Sequence, residues 1–131
     1  MVKHFSLLAV LFISILLMSM NHADAADYYL GEYADGREAY LTSIRDYEVS
    51  RNGYWGHDQY DCSVKAVNKQ SGEYETVSYR VFYGQMGPFM EKDGHNLYDR
   101  HTRETFLQNH PVENNLLKQI YALRKQSGKQ L

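Results

Sequence analysis

The sequence predicts an α+β fold, an antiparallel sheet of four to five strands with a C-terminal α-helix packed on one face. Three observations carry this expectation. The 12 tyrosines run from Tyr28 to Tyr121, mostly in short segments bounded by glycine, aspartate or asparagine, as in half-buried antiparallel strands. Apolar and polar residues alternate through Tyr60, Cys62, Val64 and Ala66 and again through Val77, Tyr79, Val81 and Tyr83, so each run has one core face. Beyond Pro111 the period lengthens, and Val112, Leu116, Leu117, Ile120, Tyr121 and Leu123 gather near one helical face.

The elements follow in order. Tyr28 to Tyr33 forms a first strand, Asp35-Gly36 supplies the turn chemistry, and Arg37 to Leu41 returns as a second strand. Tyr60 to Asn68 pairs with Tyr74 to Tyr83 across Lys69-Gln70-Ser71-Gly72-Glu73, where Gly72 can take a positive φ. These two strands are expected at the centre of the sheet. Their register is well specified, because a one-residue slip would expose the apolar set. Phe89 to Lys92 and His95 to Tyr98 flank Asp93-Gly94 as a shorter hairpin or edge extension. A helical turn is expected through Phe106 and Leu107. The C-terminal helix spans Pro111 to Gln126: Pro111 suits the first turn, Glu113 lies near the positive end, and Lys118, Arg124 and Lys125 lie toward the negative end. Gly128 ends it.

The first 25 residues read as an export signal. Lys3 and His4 precede an apolar, uncharged stretch from Leu7 to Met18, and Ala23-Asp24-Ala25 offers small residues at both positions a signal peptidase inspects. Cleavage after Ala25 would leave residues 26–131 as one α+β domain that is periplasmic or extracellular. No membrane span is expected in the mature protein, because the apolar stretch falls short of the roughly 20 residues a span requires and no second one follows. The removed segment holds one lysine and one aspartate, so the mature part keeps the formal charge of −2. That near balance argues against a nucleic-acid partner, which would call for excess positive charge. With the single cysteine Cys62, no intrachain disulfide can form, and stability has to come from packing.

The segment Tyr47 to Tyr60 (Y-E-V-S-R-N-G-Y-W-G-H-D-Q-Y) concentrates the one tryptophan with three tyrosines. Two readings stand side by side. Tyr54 and Trp55 would offer flat contact area with few rotatable bonds, with Arg51, Asn52, His57 and Asp58 as polar partners of a bound molecule. Structurally, the same residues describe a hairpin turning at Asn52-Gly53 whose aromatics pair across strands.

Catalytic constellations are weak. His57, His95, His101 and His110 with Asp58, Asp61, Asp93 and Asp99 lack metal-ligand spacing, so no metal or other cofactor is expected. Cys62 with His57 or His95 as base is a conceivable thiol enzyme, but the alternation buries Cys62 beside Val64 and Ala66. No Gly-x-Ser-x-Gly element is present. Asp99, Arg100, Arg103 and Glu104 form a charged connector ahead of the last helix.

The mature start, Y-Y-L-G-E-Y-A-D-G-R-E-A-Y-L followed by Ser43-Ile44, resembles the opening of small exported proteins of diderm, Negativicutes-type Firmicutes. More distantly it resembles the surface-adhesin protein E family. The resemblance covers the opening hairpin, about a sixth of the mature chain. It implies a periplasmic or cell-surface binding module and carries no binding residue onto a position here, and the lone Cys62 leaves no room for a family-style intrachain disulfide. The expected function is therefore non-catalytic binding of an envelope protein, a host-surface protein or a glycan. The alternatives are a secreted inhibitor of an envelope or host enzyme, with Arg51 to Trp55 as its tip, or a small thiol- or metal-dependent enzyme.

Overall fold

The computed structural model describes residues 27–51, 54–84 and 86–128, with the backbone alone described over 47–51 and 54–57. Among the described residues six strands form one sheet: β1 (Tyr28–Glu32), β2 (Glu38–Arg51), β3 (Tyr54–Val67), β4 (Tyr74–Tyr83), β5 (Phe89–Lys92) and β6 (His95–Asn96). Two helices follow, α1 (Arg103–Gln108) and α2 (Pro111–Gln126). The strands lie in sequence order, each antiparallel to its neighbour. The fold is thus the expected α+β arrangement, with six strands in place of four to five. The additional strand is β6, only 2 residues long, the return arm of the hairpin at Asp93-Gly94.

The second strand departs from its expected length. It does not stop at Leu41 but continues to Arg51, because a bulge between Leu41 and Ser43 inserts an extra residue and resets the alternation. Ile44, three residues after Leu41, thereby returns to the core side and packs against the buried cluster. The Thr42 hydroxyl within the bulge donates to the Ser63 carbonyl at 3.1 Å. A break in the period of two marks the bulge, and the strand persists through it.

One face of the sheet is dry. Leu30, Ala39, Leu41, Tyr60, Cys62, Val64, Val77, Tyr79, Val81 and Met90 are buried against Val112, Leu116, Leu117 and Ile120 of α2. Pro111 occupies the first turn of α2, where a missing N–H costs no intrahelical bond. Gly128, at φ +74°, follows the helix in the left-handed region that side chains disfavour. At the other end α2 is fastened to the edge strand, where Asn115 Nδ2 donates to the Leu30 carbonyl at 2.6 Å. Gly31 beside it adopts φ +130° at the register shift of β1, a conformation strained for any residue with a Cβ.

The opposite face is polar. Thr76, Ser78 and Arg80 of β4 are exposed, and Asp61 of β3 bridges Arg45 at 3.6 Å and Arg80 at 3.2 Å. This is the half-open sheet expected from the alternation. No helix among the described residues is long and apolar enough to cross a membrane.

Leu116 is fully enclosed, so Leu116→Ala should lower unfolding free energy by about 2–5 kcal/mol, whereas Arg80→Ala on the polar face should change it by about 0.5 kcal/mol or less. Chemical-denaturation midpoints of the two variants check this contrast.

Candidate functional site

The aromatic segment forms the far half of the β2–β3 hairpin. The register pairs Glu48 with Asp58, Val49 with His57 and Arg51 with Tyr54. On the other sides, β1 reaches only to Leu41 of β2, and β4 reaches only to Asp58 of β3. Beyond those positions the two strands pair with each other and with no third strand among the described residues. At about 3.4 Å per residue, the arm from Asp58 to Tyr54 is roughly 14 Å long.

Arg51, Tyr54 and His57 sit on the arm by backbone register. Trp55 lies between Tyr54 and His57 in β3. Asn52 and the turn expected at Asn52-Gly53 lie outside the described residues, as do the side chains of Arg51, Tyr54, Trp55 and His57. Asp58 stands at the root of the arm. Its Oδ2 accepts a hydrogen bond from Arg124 Nη1 at 2.7 Å, which ties this candidate contact to the end of α2.

Arg124 is 5% exposed, and burial of an uncompensated guanidinium would be costly. It also donates to the Tyr60 hydroxyl at 3.1 Å, and its guanidinium carbon lies 3.8 Å from the centre of the Tyr83 ring, a cation–π contact. Desolvation works against the charged form, but the contacts to Asp58 and Tyr60 outweigh it and raise the Arg124 pKa. The root of the arm is therefore anchored to the core.

A second constellation lies at the opposite end of α2. Glu113, 3% exposed, accepts at Oε2 a 2.6 Å hydrogen bond from the Tyr79 hydroxyl. The Tyr79 oxygen lies 2.8 Å from that of Tyr33. Since the one Tyr79 proton is committed to Glu113, Tyr33 donates to Tyr79, which gives the directed chain Tyr33 to Tyr79 to Glu113. Lys92 Nζ completes the group, 3.8 Å from Glu113 Oε2 and 4.6 Å from the centre of the Tyr33 ring.

Burial, opposed by the bond to Tyr79, pushes the Tyr33 phenol up to about 12. Tyr79 is raised further, first by burial and then by the Glu113 charge. Both phenols are neutral donors at physiological pH. The chain opens on a cavity of about 450 Å³, bounded by the β1–β2 turn, Lys92 and the first turn of α2.

Sequence reasoning passed over this group, although a signal was present. Glu113 lies four residues before Leu117 and Arg124 four after Ile120, so both charges fall on the apolar stripe of the helix. A charge in that position has to find a partner in the core. Glu113 also occupies the first turn of the helix, the favourable end for a negative charge.

Cys62 is 3% exposed, as its strand alternation predicts. Burial pushes its thiol up to about 12, so it is protonated at neutral pH, the opposite of an activated nucleophile. Among the described residues, no three His, Cys, Asp or Glu side chains gather as metal ligands would. Comparison with protein-family models, curated proteins and solved structures gives no match.

Cys62 and Tyr33 both hold their protons more tightly in the folded chain than at their ordinary values of 9.0 and 10.0. The native state therefore keeps protons that the unfolded state releases, and stability falls as pH rises from about 9 to about 12. Urea midpoints should decline across that window, and Cys62→Ala and Tyr33→Phe should each flatten the slope. A colorimetric thiol reagent at pH 8 should label Cys62 only after unfolding.

Proposed function

We propose that this chain is an exported, non-catalytic binding module of the cell envelope, and that it engages a partner protein through the arm formed by the ends of β2 and β3. The observation that carries the reading is the pairing register, in which residues 48–51 and 54–57 pair with each other and with no third strand among the described residues, while Asp58 at the root is held by Arg124. An arm on an anchored base presents its contact residues without disturbing the core, and rigid support of this kind limits the ordering cost of binding. Its sequence agrees: tyrosine, tryptophan and arginine are the residue types that dominate binding hot spots. The export signal at residues 1–25 supports an envelope or extracellular setting.

Arg51, Asn52, Tyr54, Trp55 and His57 are the contact residues, and Asp58 positions them from the root. A projecting hairpin also suits a secreted inhibitor that fills the cleft of an envelope or host enzyme. That alternative uses the same residues and differs only in what the partner does.

Affinity capture with residues 26–131 as bait from envelope and culture-medium fractions tests the reading. A partner should be retained by the natural chain and lost with Tyr54→Ala/Trp55→Ala, while a cooperative unfolding transition shows that the variant is still folded. Undiminished capture by the variant would place the contact elsewhere on the molecule.

A further inference from the structure

We infer that the cavity at the start of α2 binds the zwitterionic head of a free α-amino acid. This site is separate from the arm, and neither reading depends on the other.

The cavity floor holds one acceptor and one donor that the protein leaves unfilled. Both contacts of Glu113, from the Tyr79 hydroxyl and from Lys92, fall on Oε2. Its Oε1 has no partner among the described residues, although the side chain is 4% exposed and lines the cavity. A carboxylate oxygen so placed accepts a hydrogen bond from whatever enters. Lys92 Nζ, 3.8 Å from Glu113 Oε2 and 4.6 Å from the centre of the Tyr33 ring, is beyond hydrogen-bond distance of the carboxylate, so its N–H donors can serve an incoming acceptor.

The two groups are side by side, so the ligand that satisfies both carries an ammonium and a carboxylate on neighbouring atoms. An α-amino acid has that arrangement, with the ammonium on Glu113 Oε1 and the carboxylate on Lys92 Nζ. Arg37, on the same wall, is taken up by Asp35 at 2.9 Å and Glu75 at 3.4 Å, so Lys92 is the cation left for the carboxylate.

The charge of the lining separates ligand classes. Glu32 is paired with Lys69 and Asp35 with Arg37, which leaves Glu113 and Lys92 as the charged pair of the lining. A phosphate or a dicarboxylate would meet the Glu113 carboxylate with like charge, whereas a zwitterion meets one charge of each sign. Peptides fit poorly, because their ammonium and carboxylate are held apart by the intervening chain. Ala34, Pro111 and Val112 supply the apolar part of the wall, against which the side chain of the amino acid would lie.

The Tyr33–Tyr79 chain holds the Glu113 carboxylate through Oε2. Tyr33 and Tyr79 are positioning residues here, and the binding residues are Glu113 and Lys92.

The test is calorimetric and NMR titration of residues 26–131 with glycine and L-leucine, and with methylamine and acetate, which carry each head group alone. Saturable binding of at least one amino acid is expected at millimolar concentration or below, with chemical-shift changes at Tyr33, Lys92 and Glu113. Methylamine and acetate should bind at least tenfold more weakly. Glu113→Gln keeps the shape and removes the charge, and it should weaken amino-acid binding at least tenfold; Lys92→Met should do the same. If Glu113→Gln fails to fold, Lys92→Met decides, since Lys92 is partly exposed. No saturable binding of either amino acid by 10 mM, equal binding of methylamine or acetate, or undiminished binding in the folded variants would each overturn the assignment.

Discussion

The direction in which α2 crosses the sheet rests on two charged side chains buried at its opposite ends. Glu113 near the N-terminus meets the Tyr79 hydroxyl of β4, and Arg124 near the C-terminus meets Tyr60 and Asp58 of β3. Each sign suits its end of the helix dipole. The apolar contacts between them, through Leu116 and Ile120, are nondirectional and would tolerate several placements. Reversing the helix would set Glu113 beside Asp58 and Arg124 beside Lys92, two like-charge pairs in a desolvated layer. About 16 Å of helix separates the two charges at 1.5 Å per residue, so the spacing of their partners also fixes how far along the sheet α2 can slide. Burial supplies the drive, and the two charges select one arrangement from those that burial allows.

That selection shapes the rest of the surface. With α2 fixed, its first turn stands beside the β1–β2 turn, and the space between them becomes the cavity containing Tyr33 and Lys92. Its last turns stand beside Asp58, where the β2–β3 hairpin leaves the sheet. The two places where another molecule could be held are therefore at opposite ends of one helix. The polar face of the sheet is left with the Arg45, Asp61 and Arg80 ladder, whose exposed pairs contribute little to stability.

The parts of the fold legible in the sequence are those governed by a single repeating period. Alternation located β4 and the part of β3 from Tyr60 onward, though β3 begins at Tyr54, and the helical stripe gave α2 from Pro111 to Gln126. The turns at Asp35-Gly36, Gly72 and Asp93-Gly94 follow from residues that accept unusual φ values. Where two periods meet, the signal fails. The bulge after Leu41 breaks the alternation and hides the continuation of β2, since a pattern shifted by one residue looks like the end of a strand. The cavity is harder still, because Tyr33, Tyr79, Lys92 and Glu113 come from four elements. No spacing in one dimension brings them together. Only the charges on the apolar stripe of α2 hint that partners wait in the core, without saying which.

The unequal strand lengths bear on how this molecule can change over time. The buried register is set by Tyr60 against Val81 and Val64 against Val77, together with the tight turn from Asn68 to Glu73. None of these depends on Glu48 to His57. Lengthening or shortening of that stretch leaves these core pairings where they were, so the buried register sets no limit on its length. One end of the hairpin can accordingly change length over generations while the other end holds the architecture constant.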